Sequence, residues 1–134
     1  MKLLAYEVDK RSFLGIFNED ETWVYPISAA GMEYRSMKDL IREAGPSEME
    51  MLDYISKKAP GDVTGAAPVE EIKIVSPIPE PDQDIICLGI NYMDHAAESA
   101  RFQKEEFARP EKAIYFSKRV NRTNDPDGII PAHK

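Results

Sequence analysis

Two side chains able to move a proton sit close together in CLGINYMDHAAES, residues 87–99: His95 and Glu98. Three residues apart on a helix, an imidazole and a carboxylate share one face and can meet. The carboxylate then fixes the imidazole tautomer and raises its basicity, giving a general base able to take a proton from water. The same spacing also describes a solvated surface contact worth only about 0.2–0.5 kcal/mol, so the dyad alone leaves both readings open. Other candidates are weaker on residue type. Lys118 ends a strand-like run and reads as an exposed charge. Cys87 lies in the apolar run DIICLGI and reads as a small core residue, because burial suppresses the thiolate. Asp84 and Asp94 read as caps, and His133 has no partner nearby in sequence.

The elements that would position these groups follow from periodicity. KLLAYEV, SFLGIFN and TWVYPI are short aromatic and branched runs parted by the polar turns DKR and EDE, which predicts a three-stranded antiparallel meander. SFLGIFN is apolar on both parities, so that strand is expected to be covered on both sides. Ser36 and Asp39 form a capping box ahead of a helix that turns Met37, Leu40, Ile41 and Ala44 inward, with Gly45-Pro46 as its stop. Ser47 and Glu50 repeat the box ahead of a second helix with Met51, Leu52 and Ile55 inward. Residues 1–59 thus read as a small α+β domain, and the Gly-, Ala- and Pro-rich stretch 60–71 as a linker. From 72, IKIVSPIPEP starts as a strand and is then held extended by alternating prolines. DIICLGI reads as a buried strand, AIYFSK as another, and Asp127-Gly128 as a tight turn. Three strands and one short helix are too little to enclose the strand at 85–90, so further polypeptide is expected to cover it.

Composition narrows the function classes. Seventeen basic against 24 acidic residues give a net charge of −7, which disfavours nucleic acid and anionic membranes as partners. One cysteine excludes an internal disulfide framework and a multi-cysteine metal site. No signal peptide and no run of about 20 apolar residues is present, and a soluble cytoplasmic protein is expected.

IVSPIPEPDQDIICLGINYMDHAAES, then RPEKAIYFSKRVN, then DGIIPAHK, resembles the fumarylacetoacetate hydrolase family in three ordered motifs. Leu88, Gly89, Asn91, Tyr92, His95, Ala96 and Glu98 fill the first, Phe116 and Lys118 the second, and Gly128, Ile130 and Pro131 the third. The resemblance covers residues 72–134 and implies a mostly-β catalytic domain whose first part is present here. It implies a metal-dependent hydrolase cleaving C–C bonds of small 1,3-diketo or 2-oxo acids, such as acylpyruvates. His95, steered by Glu98, would activate water, and Lys118 would bind a substrate oxyanion or carboxylate. The alternatives within the family are decarboxylation of 2-oxo diacids and keto–enol isomerisation. The resemblance also implies Mg²⁺ or Mn²⁺ on carboxylates expected beyond residue 134, a homodimer, and a lid over residues 100–108. On that reading this chain by itself is inactive; a non-catalytic binding or assembly module is the alternative if the polypeptide stops at Lys134.

Overall fold

The computed structural model describes residues 1–89, 112–130 and 132. It contains two compact units, Met1–Pro79 joined by the chain from Thr123 onward, and Glu80–Arg122. The first unit is α+β. Strands β1 (Leu3–Val8), β2 (Arg11–Phe17) and β3 (Trp23–Pro26) form the expected meander. The β1–β2 turn needs two residues of positive φ, Asp9 at 49° and Lys10 at 65°, as a two-residue hairpin demands. In the β2–β3 loop, the Asn18 Oδ1 accepts the N–H groups of Thr22 and Trp23, both at 2.9 Å.

Two short strands widen the sheet. β4 (Ala67–Pro68) pairs with β3, and β5 (Lys73–Val75) pairs with β1, giving an antiparallel order β4-β3-β2-β1-β5. β5 falls within IKIV, which starts as a strand in the sequence, whereas β4 lies in the stretch 60–71 that reads as a linker and is too short for alternation to register. Its proline is tolerated because β4 is an edge strand.

Helix α1 (Met37–Glu43) starts as expected, the Ser36 Oγ accepting the Asp39 N–H at 3.1 Å. Helix α2 (Pro46–Ser56) starts earlier than its sequence signal. Pro46 takes the first helical position, where its missing N–H costs nothing, and Glu48 rather than Glu50 reaches back to accept the Gly45 N–H at 2.8 Å. Ile41 and Met51, expected inward, are exposed. The buried stripe of α1 is Met37 and Leu40, and that of α2 is Leu52, Ile55 and Ser56; Met51 lies about 100° round from Leu52, off that stripe.

The sheet is covered on both faces. On one, Ile16 and Tyr25 pack with Met37, Leu40, Leu52 and Ile55 from the helices. On the other, Leu4, Tyr6 and Val24 pack with Val69 and Ile72 from the chain between β4 and β5, and with Ile74 of β5, which lies beside Tyr6 in the sheet. Tyr25 is fully buried and its hydroxyl donates to the Lys58 carbonyl at 2.8 Å, tying β3 to the chain just after α2. Among the described residues no helix is long and apolar enough to cross a membrane.

The second unit contributes β6 (Ile85–Gly89) and β7 (Ile114–Lys118), an antiparallel pair. β6, expected to be buried under further polypeptide, is exposed among the described residues: Ile86 is 75% and, across the ladder on β7, Tyr115 is 66% exposed. A two-stranded ribbon has no second layer, so an apolar run on it stays in solvent.

Gly15 marks the tightest packing in the sheet. A Cβ there would stand 2.8 Å from the Tyr6 ring, 2.9 Å from Val24 and 2.9 Å from the Tyr25 carbonyl oxygen, which is backbone and cannot swing away. Gly15→Ala is therefore expected to lower the unfolding free energy by about 1–3 kcal/mol in urea titrations; an unchanged midpoint would refute this packing.

Candidate functional site

The β6–β7 ladder sets the geometry of the described part of the site. Ile85 pairs with Lys118, Cys87 with Phe116 and Gly89 with Ile114. Alternation puts those six residues on one face and Ile86, Leu88, Tyr115 and Ser117 on the other. Lys118 therefore shares a face with Phe116 and Cys87, at the end of β7 opposite the start of β6. It is exposed and makes no ion pair with a described residue. Cys87 is half-buried rather than a core residue, because no second layer covers its strand among the described residues; its Sγ lies 3.9 Å from the Ile85 carbonyl oxygen. His95 and Glu98, with Asn91, Tyr92, Asp94 and the segment 100–108, lie outside the described residues. Among the described residues no three of His, Cys, Asp and Glu come together as a metal site.

The chain leaves the first unit at Pro79 and returns at Thr123, and polar contacts tie the two passages together. The Thr123 N–H donates to the Pro79 carbonyl at 2.9 Å, and its hydroxyl to the Ile78 carbonyl at 2.8 Å. The hydroxyls of Ser76 and Thr123 share a hydrogen bond at 2.5 Å. One carboxylate oxygen of Asp125 accepts the Ser76 N–H at 2.9 Å while the other takes Lys73 Nζ at 3.1 Å. Asp125 holds the Lys73 ammonium above its ordinary range, with Glu7 adding a weaker pull from 3.8 Å.

Asp127-Gly128 forms the expected turn: Asp127 is left-handed at φ 60°, and the Gly128 N–H donates to the Asp125 carbonyl at 3.0 Å. A side chain on Gly128 would overlap that of Asn124. Sequence reading passed over Thr123 and Asp125; the available signal was Asp-Pro-Asp-Gly, which marks a turn without saying that its first carboxylate reaches back some fifty residues.

No family model matches the chain. It is similar to a curated protein, oxaloacetate tautomerase YisK of Bacillus subtilis (strain 168), at 34% identity over 144 aligned positions that take in all of this chain and 46% of that relative. The chain thus spans about half the length of the relative it matches.

The Asp125 tie has a definite pH dependence. A lysine whose folded pKa is raised contributes stability that is present in full below its unfolded value of 10.5 and is lost as pH rises through the folded value. The difference in melting temperature between the wild type and Lys73→Met is expected to stay constant from neutral pH to the onset of lysine titration and to narrow above it. A difference that narrows between pH 5 and 8 would contradict the assignment.

Proposed function

We propose that this chain is the N-terminal part of a fumarylacetoacetate hydrolase family enzyme that interconverts the keto and enol forms of a small 2-oxo diacid of the oxaloacetate type. The likeness to an oxaloacetate tautomerase over the whole chain carries the reading. It is supported by the order of the three motifs and by the ladder that puts Phe116 and Lys118, the two residues of the second motif, on one face of β7.

Tautomerisation moves a proton from the carbon between the ketone and the distal carboxylate to the ketone oxygen. In this reading the neutral His95 imidazole takes the carbon-bound proton as the enolate forms. The enolate oxygen takes a proton from water to give the enol, and the imidazolium returns its proton to the hydroxide left behind. Ketonisation runs the same transfers in reverse. Glu98 accepts the hydrogen bond from the other ring nitrogen, which holds the correct tautomer and stabilises the imidazolium. Lys118, a cation on a flexible stem, pairs with a substrate carboxylate, orienting the diacid and offsetting the negative charge that builds on the enolate. The Mg²⁺ or Mn²⁺ that the family resemblance implies finds no ligand set among the described residues, and none of these proton movements is routed through it. Hydrolytic C–C cleavage is the second reading, in which the same imidazole acts on water.

Purified full-length protein is expected to speed the decay of enol absorbance when oxaloacetate is diluted from a solvent that favours the enol. His95→Ala should lower the rate by about 10²-fold or more, Glu98→Gln by less, and Lys118→Met should lower kcat as well as raise KM. Consumption of an acylpyruvate without enol decay would decide for hydrolysis. Full turnover in His95→Ala would remove the base.

A further inference from the structure

The face of the five-stranded sheet away from the helices carries Leu4, Tyr6 and Val24 at one end, with Val69, Ile72 and Ile74 packed against them. Toward the β1–β2 turn it is open, leaving a cleft of about 600 Å³ within the first unit, a size suited to a small organic ligand. Tyr6 and Phe13, paired across β1 and β2, form its aromatic floor, with ring centroids 5.6 Å apart and planes tilted by 30°. Phe13 is a large apolar ring left 40% exposed, and the Tyr6 hydroxyl has no hydrogen-bond partner among the described residues although its ring is buried.

The rim carries one charge of each sign. Asp9 and Arg11 both line the cleft, both are exposed, and neither makes an ion pair with a described residue. Such a rim is electrically neutral as a whole. A simple anion gains from Arg11 and loses to Asp9, and a simple cation the reverse. A ligand bearing both charges gains from each, since the arginine fork suits a carboxylate and Asp9 suits an ammonium. The floor favours an aromatic body, which can stack on or meet edge-to-face the exposed Phe13 ring.

We infer that this cleft binds an aromatic α-amino acid as its zwitterion: the carboxylate on Arg11, the ammonium on Asp9 and the ring against Phe13. The residues lining the cleft all belong to the first unit, and the test of the inference does not depend on turnover.

Isothermal titration calorimetry, paired with saturation-transfer NMR, would compare L-phenylalanine with 3-phenylpropionate and 2-phenylethylamine, each of which lacks one charge. Saturable binding of L-phenylalanine is expected, with each analogue at least tenfold weaker. Arg11→Met keeps the apolar stem, and Asp9→Asn keeps a residue that tolerates the left-handed turn. Both should weaken L-phenylalanine at least tenfold with melting temperatures unchanged, and Asp9→Asn should not weaken 3-phenylpropionate. No saturable binding of L-phenylalanine, an analogue binding equally tightly, or charge variants that bind like the wild type would overturn the inference.

Discussion

A strand that is apolar on both parities must be buried on both sides, and β2 imposes that demand on everything around it. Ile16 faces the helices and Phe17 the opposite side, and each meets its own cluster of apolar residues. A sheet of this length cannot be enclosed by two short helices lying on one face. The second cover comes from the chain after α2, which packs Val69 and Ile72 against the far side before Ile74 joins the sheet in β5. The covering layer and the added edge strands are thus the same stretch of polypeptide. Gly15 is what lets the tyrosine and valine on the neighbouring strands close over β2 without a collision.

Hydrogen bonds fix how the helices lie on this sheet. The Tyr34 hydroxyl donates to Glu48 at 2.5 Å while the other oxygen of that carboxylate caps α2 through the Gly45 N–H. One side chain therefore serves both the helix start and the loop before α1. The two bonds favour the ionised carboxylate, so Glu48 titrates below the ordinary range, and the same contact pushes the Tyr34 phenol up to about 12. Among the described residues no buried side-chain nitrogen or oxygen lacks a partner. The first unit is well satisfied in its polar groups and has both sheet faces covered, which is what a small domain needs to hold a defined shape.

The β6–β7 ribbon is built differently. Its backbone pairing is regular over five residue pairs, yet its isoleucine, leucine and aromatic side chains stand in solvent. Among the described residues this ribbon is held by its ladder, so the register matters: a slip of one residue would turn Lys118 and Phe116 together away from Cys87 and onto the face of Ile86 and Leu88. The chemistry proposed for the chain draws Lys118 from this ribbon and its base from the residues that follow β6.

The meander, both helices and the Asp127-Gly128 turn were legible in the sequence because each depends on neighbours within a few residues: alternation along a strand, a serine three residues before an aspartate, an aspartate followed at once by a glycine. The motif set was legible for the same reason, since it is a local pattern of residue types, and it pointed to keto–enol chemistry as one of its alternatives. Tertiary structure decided the rest. Whether Ile41 and Met51 face in or out depends on which side of each helix meets the sheet, and hydrophobicity alone leaves that open. β4 becomes a strand only because β3 offers it a free edge. The burial of DIICLGI depends on a second layer that no property of those seven residues can supply. The link from Asp125 to Ser76 and Lys73 spans some fifty positions, and only folding brings such distant groups within hydrogen-bonding reach.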